Sequence, residues 1–314
     1  MSLRSDIANY YFAHLDELSA DKQFHIGNRL TAWYGDPRAR AILVKQRDMV
    51  VPSAVTDDAL VALFKDLLQF EPPTTISGYA MRKPYFDKYP RLTGIHHAIL
   101  RLRHLHTVYG IDARPAFASV VPINELRELE DALAKDQEAT RILSTYAINT
   151  LYLFHLIILE DDNIDAQALY DLGQSGYDTS SPEQLRLLIY MYTHCIIAAS
   201  NFYTKELPAE ALPVYAKMMQ SLEAHIEQHF DEVSLDTKVE FWVCCRVVHY
   251  DTRLAERIDA ECAASVSPEG TFIIDKHNIF ARLQAKNSFA DSEHRNTLFI
   301  LSGSPYSPHS TRVN

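Results

Sequence analysis

The sequence predicts an all-α fold, a multi-helix bundle or helical array around two central apolar helices. Three observations lead there. The chain has 314 residues and 47% of them are hydrophobic, enough for one large helical core or two closely packed ones. Glycine is scarce, at 9 residues, whereas an all-β fold of this length needs more of it in turns. Apolar residues recur at the helical period in one segment after another, with short Pro, Gly or Asp breaks between them.

The periodicity predicts helices over 3–18, 21–34, 37–49 and 56–70, which form an N-terminal helical layer, 1–70. Thr56 followed by Asp57 and Asp58 reads as a hydroxyl cap with acids at the positive end of the dipole. Residues 71–90 form a Pro- and Tyr-rich irregular connection, with Tyr79, Tyr85, Phe86 and Tyr89 among its prolines. The main helical bundle, 91–302, follows. Its helices are 91–109, 123–136, 138–160, 165–173, 182–204, 209–231, 235–262, 276–286 and 290–301. Ser181-Pro182-Glu183-Gln184 is a capping box with proline at the first helical position, and Gly173 reads as a helix end. Segments 142–159 and 185–203 are apolar nearly all round, so they are the central helices. The Ser- and Pro-rich tail, 303–314, is expected to be disordered.

Charge and composition remove several function classes. The net charge of −11 gives no global attraction for nucleic acid or anionic lipid. No apolar run is long enough to span a membrane, because the longest, 151–159, is short and broken by His155. The polar N-terminus lacks a signal peptide, and four cysteines without a C-x-x-C point to a soluble protein in a reducing cytoplasm. Glycine-rich nucleotide loops and the G-x-S-x-G nucleophile elbow are absent.

Three constellations remain as candidates. In the basic, His-rich helix 91–109, His96 and Arg103 sit at the edge of the apolar arc and His106 inside it. His97 and His104 point to solvent. An arginine so placed must meet an acid, a backbone carbonyl or a ligand anion. In the central helices, Tyr152 precedes His155 by one turn and Tyr190 precedes His194. Tyr190, His194 and Asn201 form one polar stripe. A stripe of this kind faces either an interior hydrogen-bond network or a ligand pocket. No acid lies within a turn of His155 or His194 in its own helix, so both are expected to be neutral at pH 7. The third is His225, His229 and Glu232, whose i, i+4, i+7 spacing would let them share a divalent metal, zinc or iron. H-I-E-Q-H is not the metalloprotease H-E-x-x-H.

Tyr190–Tyr203 (YMYTHCIIAASNFY) and Ser288–Leu301 (SFADSEHRNTLFIL) are similar to parts of an uncharacterised, mostly actinobacterial family of helical proteins. The resemblance implies a bacterial helical protein and carries no activity with it. It draws attention to His194 and His294 as histidines that would meet across the bundle. Two functions follow from the residues. The first is binding of a small molecule, peptide or protein partner in a groove lined by the basic helix and the His/Tyr/Asn stripe. The alternative is a metal-dependent enzyme, of oxygenase or hydrolase type, with histidine ligands from several helices.

Overall fold

The computed structural model describes residues 2–76, 78–275 and 287–313. The described residues are all-α, as predicted, with an isolated antiparallel bridge between Val266 and Ile273. The helices are α1 (Leu3–Ala13), α2 (Ala20–Tyr34), α3 (Pro37–Lys45), α4 (Arg47–Val50), α5 (Asp57–Leu67), α6 (Tyr79–Lys88), α7 (Leu92–Thr107) and α8 (Arg114–Val120). They continue as α9 (Ile123–Lys135), α10 (Gln137–Leu143), α11 (Thr145–Leu153), a π-helical turn (Phe154–Leu159), α12 (Ala166–Gln174) and α13 (Pro182–Ala199). The last are α14 (Leu212–Gln228), α15 (Leu235–Val247), α16 (Ala255–Ala264) and α17 (Glu293–Leu301). The helix predicted over 276–286 lies outside the described residues.

The expected division into an N-terminal layer and a C-terminal bundle is replaced by two compact units. Unit 1 comprises residues 1–46 and 202–311, and unit 2 comprises 47–201 and 312–314. The reason is long-range pairing that sequence order hides. In unit 1 the N-terminal helices pack on the C-terminal part of the chain. Arg4 bonds Asp259 at 2.6 Å, and the Tyr34 hydroxyl donates to the Ile300 carbonyl at 2.6 Å.

Unit 2 has the predicted pair at its centre. α11 packs between α7 and α13, and both α11 and α13 are largely buried. Gly94 in α7 makes a close approach possible. A Cβ there would lie 2.5 Å from the Leu68 carbonyl oxygen, just past α5. Unit 1 is built on a second pair, α15 and α17, which pack on each other and on α1, α2, α14 and α16. This pair is nearly all buried although it carries Lys238, Glu240, Glu293 and Arg295. Its polar residues find partners in unit 1: Lys238 with Glu261 of α16 at 2.5 Å and Arg295 with Asp236 of α15 at 2.7 Å.

The caps behave as the sequence suggests. Thr56 accepts from the Ala59 amide and Ser181 from the Gln184 amide. Four expectations need correction. The connection 71–90 contains a regular helix, α6, which accommodates Pro84 internally. The helix predicted over 138–160 breaks at Ser144 (φ 48°), where the chain bends by 102° between 137–143 and 145–159. The helix predicted over 235–262 breaks between α15 and α16, where His249 has φ 54°. The tail expected to be disordered is held by local bonds instead. In unit 1 the Tyr306 hydroxyl donates to the Lys205 carbonyl at 2.7 Å, and the His309 amide to the Ala32 carbonyl. Aromatic burial outweighs the tail's polar composition, since Tyr306 is buried against Trp33. No single helix among the described residues is long and apolar enough to cross a membrane. The bent pair 137–143 and 145–159 meets that test by length and composition, but it forms the core of unit 2.

Candidate functional site

The strongest site lies within unit 2, where α6, α7, α11 and α13 present polar side chains to one another. On α13, Arg186, Tyr190 and His194 recur every four residues and so share one face. All three are half-buried, while residues 187–189, 191–193 and 195–200 are buried. The stripe is therefore the one face of this helix turn that keeps access to solvent.

Opposite the stripe stands Asn149 of α11, buried, with its Oδ1 3.0 Å from His194 Nδ1. An amide oxygen can only accept, so Nδ1 carries the proton and Nε2 is the basic nitrogen. The neighbouring turn holds Thr150, whose hydroxyl donates to the Tyr146 carbonyl at 2.7 Å and lies 3.5 Å from His96 Nδ1. The rings of His96 and Tyr146 are 4.9 Å apart. Burial, reinforced by His97 and His194, pushes His96 down to about 3 and keeps it neutral. Arg82 of α6 completes the group. It is 4% exposed, its guanidinium carbon lies 6.0 Å from the Tyr146 ring centre, and its Nε donates to the Ile142 carbonyl at 3.1 Å. Met81 and Ile142 also line a surface groove of about 360 Å³, together with Arg141, Gly176 and Gln184.

Arg103 is fully buried, as expected, and it meets the residue that the sequence placed in the same site. Its Nε donates to Asn201 Oδ1 at 2.9 Å and its Nη2 to the Asn201 backbone carbonyl at 2.7 Å. Asn201, however, is not on the stripe with Tyr190 and His194. α13 ends at Ala199, and Asn201, Phe202 and Tyr203 follow with φ of 47°, 56° and 70°. Three consecutive non-glycine residues in the left-handed region cost strain, and Arg103 clamps the first of them.

His155 overturns the expectation of a neutral imidazole. Its Nδ1 lies 2.6 Å from Asp161 and its Nε2 2.7 Å from Glu130. Burial works against its protonation, but these two carboxylates win and raise its pKa. Neither acid was visible to a reading confined to one turn of the same helix. Glu130 comes from α9. Asp161 returns to the ring because the π-turn closes at Glu160 (φ 56°), where the Asp161 amide bonds the His155 carbonyl. Tyr152 is buried and hydrogen-bonds Cys195, a core contact. His106 is half-buried in the field of Asp112. His97, expected in solvent, is half-buried with its ring 3.9 Å from that of Phe70. His104 is half-buried as well.

The proposed metal group does not assemble. α14 ends at Gln228, so the helical face does not reach Glu232, which instead bonds His229 Nδ1 at 3.2 Å. Among the described residues no three His, Cys, Asp or Glu side chains are placed to share a metal ion, the trio His225, His229 and Glu232 included.

His294 belongs to unit 1, whereas His155 and His194 belong to unit 2. Its partners are Glu240, 3.6 Å from Nε2, and the ring of His25 at 5.3 Å. Beside it His25 Nδ1 lies 2.8 Å from Glu293, while Arg29 Nε donates to His25 Nε2. Burial, aided by Arg29, lowers His25 to about 4 against the pull of Glu293. Glu293 is buried, which alone would favour its neutral form; His25 and Thr297 reverse this and hold it below the usual carboxylate range.

The sequence reading missed Arg82, Tyr146, Asn149 and Arg186. The four-residue spacing of Arg186 with Tyr190 and His194 was a legible signal. The packing of α6 and α11 was not. No protein-family model matches the chain, and no curated protein and no solved structure matches it.

Proposed function

We propose that the protein binds a small molecule at the half-open face of unit 2, with Tyr190, His194 and Tyr146 as its contact residues. The observation that carries this is the stripe on α13. A helix whose other faces are packed keeps Arg186, Tyr190 and His194 accessible, and its opposite wall is fixed by His194–Asn149 and Thr150–Tyr146 hydrogen bonds. Pre-formed walls with a few oriented polar groups are what small-molecule sites require. His194 supplies a basic Nε2, and the tyrosines supply flat apolar surface with a polar end.

The test is a fragment screen followed by NMR of tyrosine ring and histidine signals. Bound fragments are expected to shift Tyr146, Tyr190 and His194 together. His194→Ala should abolish those shifts while the melting temperature changes little, because His194 is half-buried. A screen in which every hit maps elsewhere, or none is found, refutes the assignment.

A further inference from the structure

Within unit 2, Arg82 is a buried cation with no counter-ion among the described residues. Its Nε is satisfied by the Ile142 carbonyl, but its Nη2 is enclosed and has no hydrogen-bond partner. Burial dominates its environment. The groups acting most strongly on it after burial are Tyr146, Tyr190, Arg186 and Tyr177, which are three tyrosines and a second positive charge. A guanidinium does not escape the cost of burial by losing its proton, because it stays charged at any pH a protein meets. An unpaired buried charge is among the most destabilising features a core can hold.

Two other buried arginines make more bonds to the protein than Arg82 does. Arg103 is bonded to Asn201 twice, and Arg295 to Asp236. Arg82 is also the one whose neighbours, Tyr146 and Tyr190, belong to the face described above. Resting on the reading of that face as a binding site, we infer that its ligand is an oxyanion, a carboxylate or a phosphate, received by Arg82 Nη2 and drawn in by Arg186. The planar edge of the guanidinium suits both oxyanions, and the tyrosine hydroxyls can donate to an oxygen without adding a charge.

Sodium acetate and sodium phosphate are titrated separately into the intact protein at constant ionic strength, with chloride as the balancing salt. Affinity is read from the Arg82 Nε–H NMR signal and from the melting temperature. The wild type should show saturable binding of at least one of the two anions, and which of them binds tightest tells carboxylate from phosphate. Arg82→Gln should weaken it about ten- to hundredfold, the loss of one charge-assisted hydrogen bond. Arg186→Gln, a half-buried position, should weaken it by a smaller factor. If Arg82→Gln fails to fold, Arg82→Lys keeps the charge but loses the planar edge and should still weaken binding. Equal affinity in wild type and folded Arg82 variant overturns the inference, as does the absence of saturable binding beyond chloride. If neutral fragments bind at Tyr190 and His194 while neither anion does, the binding face stands and its anion preference falls. If neither class binds there, both fall.

Discussion

Each of the two units encloses arginine and histidine among its helices, yet the α15/α17 core of unit 1 and the α6/α7/α11/α13 face of unit 2 treat these charges in opposite ways. In unit 1, positive and negative groups interleave. Arg29 reaches His25, His25 reaches Glu293, Thr297 donates to the same carboxylate, and Arg295 pairs with Asp236. On that face of unit 2, Arg82 has no counter-ion among the described residues, its neighbours are Tyr146, Tyr190 and Arg186, and burial keeps His96 neutral. A compensated network stabilises a fold and asks for nothing further. An uncompensated one leaves a cost that a ligand can offset. Polar residues in a core are therefore informative through their balance rather than their number.

Breaking the compensated network should have the largest effect. Glu293→Ala strands the His25 N–H and the Thr297 hydroxyl beside Arg29. It is expected to cost about 3–5 kcal/mol, read from urea unfolding of the variant against wild type. A cost below about 1 kcal/mol would show that the network is not stabilising and erase the contrast.

Arg103→Ala comes next. It removes two hydrogen bonds from Asn201 and releases the first of three left-handed residues, at an expected cost of about 2–4 kcal/mol. Hydrogen exchange should accelerate first at the amides of 200–203. Unchanged protection there would mean that Arg103 does not hold this turn.

The pH dependence sharpens the comparison inside unit 2. His96 has a folded pKa of about 3, below its unfolded value, so the unfolded chain binds the extra proton between these two values. Stability should fall as pH drops from about 6.5 towards 3, by up to ~1.4 kcal/mol per pH unit from this group. His96→Asn should flatten that limb. His155 has the opposite sign, because its folded pKa is raised. Its contribution is complete below the unfolded value and is lost as pH rises through the folded one. The stability gap between wild type and His155→Gln should thus be widest at mildly acid pH and shrink on the alkaline side. Parallel pH profiles for the two variants would contradict the difference in their surroundings.

The smallest effect is expected where the charge is unpaired. Arg82→Met fills a similar volume and removes a buried cation that lacks a counter-ion, at the loss of one bond to Ile142. In anion-free buffer its stability should lie within about 1 kcal/mol of wild type or above it. A loss as large as that of Glu293→Ala would place Arg82 with the compensated groups.

The helical class, the caps at Thr56 and Ser181 and the central pair of unit 2 were legible because each depends on residues a few positions apart. Period, capping and all-round apolarity are local signals. The burial of Arg103 was legible too, since an arginine on the edge of an apolar arc has few other places to go.

The pair α15 and α17 was hidden. Lys238, Glu240, Glu293 and Arg295 look like surface residues until their partners on other helices are known. His155 was misread for the same reason, its acids lying on α9 and beyond a π-turn. What the sequence determined alone was therefore the set of helices and the apolar faces that must be covered. Which charges cancel, and that Arg82 has no counter-ion among the described residues, was decided by tertiary structure. Electrostatic balance in a core depends on distances of a few ångströms between residues far apart along the chain, and no local pattern encodes those distances.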